Sequence, residues 1–311
     1  MTEISVQSQL DKRGIPSQRI GTLQIDLDGA WAIANRFGVS LPIRKDPIFM
    51  TGMLNCLDLL SKLHVKATFL VVGMDLKIPW KKKLIARAFD EGHELANHTM
   101  SHFPDLRSRE RKTKFTEIDR ASHMIEELIG VKPKGFKSSG YQADPSILLH
   151  LAERNYAYDS SILPTYVLSL LRWVEAGKSH RQIPSYSSIR DSLGRILPYI
   201  MTFSISDNSE MKNLLEIPPT VIPVVKIPFH GSFVSNLGRG YFDLAFTLVQ
   251  AMSPFLNYVL HLKDLAKPNI IPGVPSHQTK PIPPNVLEHV ATKITEAYKL
   301  ARTADIAYSL S

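Results

Sequence analysis

The stretch Thr22-Leu23-Gln24-Ile25-Asp26-Leu27-Asp28 decides the fold. Side chains of a strand alternate in direction, so Leu23, Ile25 and Leu27 share one face and Gln24, Asp26 and Asp28 the other. Reading outward, Met50 to Leu63 carries apolar residues at helical spacing, and Ala67 to Val72 is a buried-type strand closed by Gly73. Lys81 to Glu91 reads as a short helix stopped by Gly92, Glu94 to His98 as a strand, and Thr113 to Ile129 as a helix stopped by Gly130. A short strand at Gly135 to Ser138 precedes Asp144-Pro145, an N-cap with proline in the first turn. Tyr156 to Asp159, Leu214 to Ile217 and Tyr258 to Leu262 are further strands, with helices expected at 166–176, 241–252 and 284–303. Strands alternating with helices along the chain predict an α/β fold with parallel strands.

The chain has 311 residues, 37 Lys and Arg against 29 Asp and Glu, a net charge of +8, and one cysteine, Cys56. Its hydrophobic share of 44% and charged share of 21% exclude a disordered or collagen-like chain. A lone cysteine cannot form an internal disulfide. Residues 1–20 read as a polar, flexible leader without an apolar signal core, and 21–311 as one domain, so a cytoplasmic location is expected. Between Asp243 and Lys263 no formal charge occurs, but Gln250, Ser253, Pro254, Asn257 and His261 break the run, which reads as helix, turn and buried strand rather than a membrane span.

The chemistry-bearing residues appear in order. Asp26 and Asp28 sit two apart, so both carboxylates face one way at the C-terminal end of their strand, where parallel barrels collect active sites. One of them could equally cap the following helix. His98-Thr99-Met100-Ser101-His102 has the H-x-x-x-H spacing that, on a helical turn, puts both imidazoles on one face. One aspartate and two histidines leave coordination positions open on a divalent cation, and a second aspartate adds a base. Phosphate-cradling glycine loops and a G-x-S-x-G elbow are absent from the sequence.

Ile25-Asp26-Leu27-Asp28-Gly29, Ala67-Thr68-Phe69-Leu70 and Gly92 through His102 together resemble successive motifs of the NodB-homology polysaccharide deacetylases. The series continues with Gly135-Phe136-Lys137-Ser138-Ser139-Gly140-Tyr141, Tyr158-Asp159-Ser160-Ser161, Leu215-Glu216-Ile217-Pro218 and Leu260-His261-Leu262-Lys263-Asp264. This resemblance implies a distorted (β/α) barrel of parallel strands, with amphipathic helical insertions in the second half. It implies Asp26 as catalytic base, His261 as general acid, and Asp28, His98 and His102 as metal ligands. The implied cofactor is one divalent ion, Zn2+ first, with Co2+, Ni2+ and Mn2+ as alternatives. Tyr141 matches the position whose backbone N–H holds the oxyanion, and Lys137 stands where many members carry an arginine that tethers the base. Gln142 and Asp144 fall in a Gly-aromatic-x-Ala-Asp stretch similar to that of lipid-linked aminosugar deformylases, and Asp159 joins them as a candidate around the substrate.

Lys81-Lys82-Lys83 and Arg107, Arg109, Arg111, Lys112 and Lys114 carry much of the surplus charge, as a solvated face or as a contact with anionic lipid. The uncharged runs 160–171 and 196–206 read as core or as interfacial amphipathic helix. The expected activity is removal of an N-acyl group from an aminosugar, on a polyprenyl-phosphate-linked glycan at the inner face of the cytoplasmic membrane. A soluble or cell-wall glycan, and an inactive glycan-binding relative, are the alternatives. No basic recognition helix or aromatic-interleaved basic strand occurs, so nucleic acid is not an expected partner.

Overall fold

A computed structural model describes residues 19–142, 144–167, 193–205 and 210–310. In chain order it contains β1 (Ile20–Asp26), α1 (Ala30–Asn35), α2 (Pro47–Lys62), β2 (Thr68–Val71), α3 (Pro79–Asp90), β3 (Glu94–Asn97), α4 (Arg111–Ile129) and β4 (Gly135–Phe136). There follow α5 (Pro145–Glu153), β5 (Tyr158–Asp159), β6 (Tyr199–Ile205), β7 (Glu210–Glu216), β8 (Val221–Ile222) and β9 (Ile227–Pro228). The rest is α6 (Gly231–Met252), β10 (Phe255–His261), α7 (Leu262–Leu265), α8 (Pro284–Ala297), β11 (Lys299–Leu300) and α9 (Thr303–Leu310).

The main sheet runs β10-β1-β2-β3-β4-β5-β7-β6, and β11 pairs beside the start of β1. Within this sheet every pairing is parallel except β6 with β7, which is antiparallel, as is β8 with β9 in a separate two-stranded sheet. The sheet curls until its two sides nearly meet: Thr220 N–H donates to Asn257 O at 3.0 Å, and Asn257 N–H donates back to Thr220 Oγ1 at 2.8 Å. This is the distorted (β/α) barrel, with the antiparallel β6 as a departure from an all-parallel sheet.

The period-2 reading of β1 holds. Leu23, Ile25 and Leu27 belong to the large core formed with Phe49, Met53, Leu57, Phe242 and Phe246 from α2 and α6. The opposite face lines the barrel interior. At the N-terminal ends of the strands, Thr303 Oγ1 lies 2.8 Å from Thr22 Oγ1 and 2.9 Å from Thr68 Oγ1. Nearby, Glu94 accepts from Ala304 N–H and from the Tyr158 hydroxyl, both at 2.9 Å. Those polar pairs close one end and leave the C-terminal ends of the strands as the open face.

Three stretches differ from the sequence reading. The run 196–206 is not a helix: it holds β6, whose residues pair with β7 from Tyr199↔Glu216 to Ile205↔Glu210. Met201-Thr202-Phe203-Ser204-Ile205 alternates apolar and polar, the period of a strand, and β7 supplies the partner. Residues 160–165 form neither helix nor strand, and 168–176 of the expected helix lie outside the described residues. The helix expected over 284–303 is divided among α8, β11 and α9, because Lys299 and Leu300 pair with Ile20 and Gly21. Among the described residues no helix is long and apolar enough to cross a membrane.

Candidate active site

The C-terminal ends of four strands deliver the side chains. Asp26 is the last residue of β1 and stands opposite His261, the last residue of β10. Asp28 lies two residues further on, His98 follows β3, and Lys137 follows β4. Parallel register therefore gathers residues far apart in sequence without help from any single helix.

His98 and His102 do not lie on a helical turn. They bracket a loop in which Thr99 and His102 have φ of 68° and 49°, a left-handed region that non-glycine residues rarely occupy. Tertiary hydrogen bonds hold it. Asn97 Oδ1 accepts from Thr99 N–H at 2.8 Å, Thr99 Oγ1 from His102 N–H at 3.2 Å, and Glu117 Oε2 from Ser101 N–H at 2.7 Å.

The loop brings the two imidazoles onto one carboxylate. His102 Nε2 is 3.0 Å and His98 Nε2 3.4 Å from Asp28 Oδ1, and one ligand atom from each of the three residues lies within 4.8 Å of the others. All three are buried. The Lys137 carbonyl, 2.7 Å from His98 Nδ1, can only accept, so that nitrogen carries the proton and Nε2 turns a lone pair to the centre. Asp28 Oδ1 and both His102 ring nitrogens have no hydrogen-bond partner among the described residues. Separations of 3.0 and 3.4 Å are those of neighbouring ligands about 2.0–2.2 Å from one ion. Orphaned, buried and converging, these donors fit a divalent cation. Burial alone would raise the Asp28 carboxyl, but His102 and His98 hold it well below the ordinary carboxylate range.

A second group adjoins the first. Lys137 Nζ donates to Asp26 Oδ1 at 2.8 Å, and His261 Nε2 lies 3.6 Å from Asp26 Oδ2 and 4.0 Å from Asp28 Oδ2. His261 caps α7, where its N–H donates to Asp264 Oδ2 at 2.9 Å, and its Nδ1 is 3.3 Å from Ser232 Oγ. Asp264 is depressed far below its usual value: burial pushes it up, but Lys263 and His261 outweigh burial.

The remaining sequence candidates divide. Tyr141 has φ of 58° and packs beside Lys137, whose Nζ is 5.5 Å from its ring centre. Its N–H donates to Ser138 O at 3.2 Å, so the backbone donor expected for the oxyanion is engaged in a turn; the buried hydroxyl is the one without a partner. Burial, followed by Asp26 and Asp28, raises that phenol well above 10, so it stays protonated. Gln142 and Asp144 have their polar atoms engaged elsewhere. Gln142 accepts from Arg107 N–H at 3.1 Å and donates to Pro104 O. Asp144 caps α5 through Ser146 and Ile147 N–H and pairs with Lys114. Asp159 is fully buried opposite Glu216 in the β5–β7 register and accepts from Ser161 Oγ, which in turn accepts Ser138 N–H at 2.8 Å. It braces the segment beside Lys137.

Two features escaped the sequence reading. His230, at the start of α6, is buried with its ring centre 6.3 Å from that of His261, and burial followed by the His261 charge takes it down to about 3. Nothing in the spacing of Phe229-His230-Gly231 marks it. The other is Lys81, which is fully buried rather than part of an exposed basic run.

Residues 50–158 match the family model for polysaccharide deacetylase. A chitooligosaccharide deacetylase of Bradyrhizobium sp. (strain ANU 289) is 44% identical over 69 residues, 22% of this chain and 30% of that protein. The alignment spans about a third or less of the curated relatives' length. Over nearly the whole chain the fold is that of a probable polysaccharide deacetylase from Pseudomonas aeruginosa PAO1, with TM-score 0.57, 18% identity, and 93% and 89% of the two chains covered. An allantoinase shares the fold too, with TM-score 0.58 at 14% identity over 99% and 96% of the chains. The ordered motifs agree with the polysaccharide deacetylase match over residues 50–158, and nearly the whole chain shares the fold of the Pseudomonas aeruginosa structure.

Proposed function

We propose that the chain is a metal-dependent hydrolase that removes an N-acyl group, acetyl first, from an aminosugar of a glycan. The observation that carries this reading is the convergence of Asp28, His98 and His102 beside the Asp26–Lys137 pair and His261. The chitooligosaccharide and polysaccharide deacetylases among its relatives support an aminosugar as substrate.

Asp28, His98 and His102 would hold one divalent cation, Zn2+ by the nature of the donors, with Co2+, Ni2+ and Mn2+ the alternatives. When bound, it supplies Lewis-acid polarisation of the N-acyl carbonyl. Asp26, fixed by Lys137, takes the proton of the attacking water, and the Tyr141 hydroxyl donates to the carbonyl oxygen as negative charge grows there. His261, held by its N–H to Asp264 and set beside Ser232, delivers a proton to the departing nitrogen. The C–N bond breaks, a C–O bond forms, and a free amine and a carboxylate leave.

Within this reading the substrate is lipid-linked, carried on a polyprenyl phosphate at the cytoplasmic membrane face. The support is electrostatic: Lys82, Lys83, Arg109, Arg111 and Lys112 are exposed, and each basic residue near an anionic surface is worth about 1 kcal/mol. Acetate release from a polyprenyl-phosphate N-acetylaminosugar is compared with release from a chito-oligosaccharide. Turnover of the first supports the full reading, and turnover of the second alone removes its lipid-linked part. No turnover of either, with no stoichiometric divalent metal in the purified protein, overturns the enzyme and leaves a glycan-binding relative.

A further inference from the structure

Behind Asp28 lies an ion cluster that none of the family motifs contains. Lys81, in the first turn of α3, is fully buried, with Nζ 2.7 Å from Asp46 Oδ2 and 2.7 Å from Asp75 Oδ1, and 4.5 Å from the centre of the Phe49 ring. Asp46 caps α2, and Asp75 lies in the turn after β2, so three separate elements meet in this one cation.

The cluster grips the residues that follow Asp28. Asp46 Oδ1 accepts from Ala30 N–H at 2.9 Å, and Asp75 Oδ1 accepts from Trp31 Nε1 at 2.9 Å. Gly29, between Asp28 and Ala30, has no room for a side chain: a Cβ would stand 2.0 Å from Asp46 Oδ2 and 3.3 Å from Lys81 Nζ. The turn carrying Asp28 is thus held from below by charged groups in contact with its backbone.

A lysine and two aspartates are a costly way to fill a core, since apolar side chains of similar volume commonly do so as well or better. The surplus carboxyl shows the strain: burial takes Asp75 up to about 6 even with Lys81 beside it. What charged groups give in return is direction, through short hydrogen bonds to fixed atoms.

We propose that Lys81, Asp46 and Asp75 are positioning residues that aim the Asp28 carboxylate at the cation site. This rests on the metal reading given above. Groups that orient a ligand through hydrogen bonds commonly account for 10–100-fold in metal affinity.

The test uses Co2+, whose visible absorption reports ligand geometry. Asp46→Asn and Asp75→Asn keep shape and remove charge; a triple variant, Lys81→Met with Asp46→Asn and Asp75→Asn, removes all three charges together and keeps the core neutral if single changes unfold it. Melting in the presence of EDTA reports stability apart from the metal. The expected result is that folded variants bind Co2+ about 10–100-fold more weakly than the parent, with an altered spectrum. Unchanged Co2+ affinity and spectrum, with only a lower melting temperature, would make the cluster structural and overturn the proposal. A parent protein that takes up no Co2+ overturns the metal reading itself, which is a distinct outcome.

Discussion

Lys137 Nζ donates to Asp26 Oδ1 at 2.8 Å, joining the last residue of β1 to the residue after β4, with the lysine side chain wholly buried. A buried charge pair of this kind is strongly directional for the carboxylate it holds. Lys137→Met is expected to lower kcat for acetate release by about 10²-fold, the low end of what a positioned base contributes. Lys137→Arg keeps the charge and adds a planar fork, and is expected to stay within about tenfold of the parent. Equal rates for the parent and Lys137→Met would show that Asp26 needs no tether.

Metal removal is the second check. Dialysis against EDTA is expected to abolish deacetylation and stoichiometric Zn2+ or Co2+ to restore it. His102→Ala, which deletes a ring with both nitrogens unpartnered, is expected to leave the fold intact and lose the bound metal, measured by elemental analysis. Retained metal in that variant would contradict the ligand set.

His230 gives a pH prediction. Its imidazole is held down to about 3, by burial first and by the His261 charge second. In the unfolded chain the same group protonates near 6.5. Between those values the unfolded state binds the extra proton, so this residue's contribution is fully present above pH 6.5 and is lost as pH falls toward 3. The slope amounts to about 1.4 kcal/mol per pH unit at most. Titration followed by NMR on the metal-free protein should show no His230 midpoint between pH 8 and about 4.5. A midpoint near 6.5 would show an open, solvated ring.

Packing gives a fourth prediction at Gly135 in β4. A Cβ there would sit 1.9 Å from Cζ and 2.1 Å from the hydroxyl of Tyr158, whose O–H donates to Glu94 Oε1 at 2.9 Å. Gly135→Ala is expected to destabilise by about 1–3 kcal/mol through overpacking, and to lower the melting temperature by several degrees. An unchanged melting temperature would mean that the Tyr158 ring can move aside.

Legibility in the sequence followed the range of the interactions involved. The alternation of residues 22–28 is local, and it set both the buried face of β1 and the placement of Asp26. His98 and His102 were recognisable as ligand types, yet their loop geometry was not, because Asn97 and Glu117 impose it through hydrogen bonds from β3 and α4. Lys81 reads as one of three surface lysines; its partners Asp46 and Asp75 sit 35 and 6 residues away, a relationship that no periodicity encodes. Within 196–206, residues 201–206 alternate apolar and polar in the period of a strand, a local signal that the helical reading passed over and that the register with β7 bears out. His230 left no trace, since a histidine between a strand and a helix-starting glycine is chemically unremarkable until the fold sets it near His261.

The pairing of Asp26 with His261 has a consequence for biosynthesis. β1 obtains one lateral partner early, from β2, but its other neighbours, β10 and β11, come from the far part of the chain. Contacts of such long sequence separation close late, because loop entropy must be overcome before they reward it. On the ribosome the strand bearing the aspartates therefore waits with an open parallel edge until residues beyond 255 have emerged. The cluster of Asp26, Asp28, His98, His102 and His261 is among the last parts of the molecule to exist, and the nascent chain passes most of its synthesis without it.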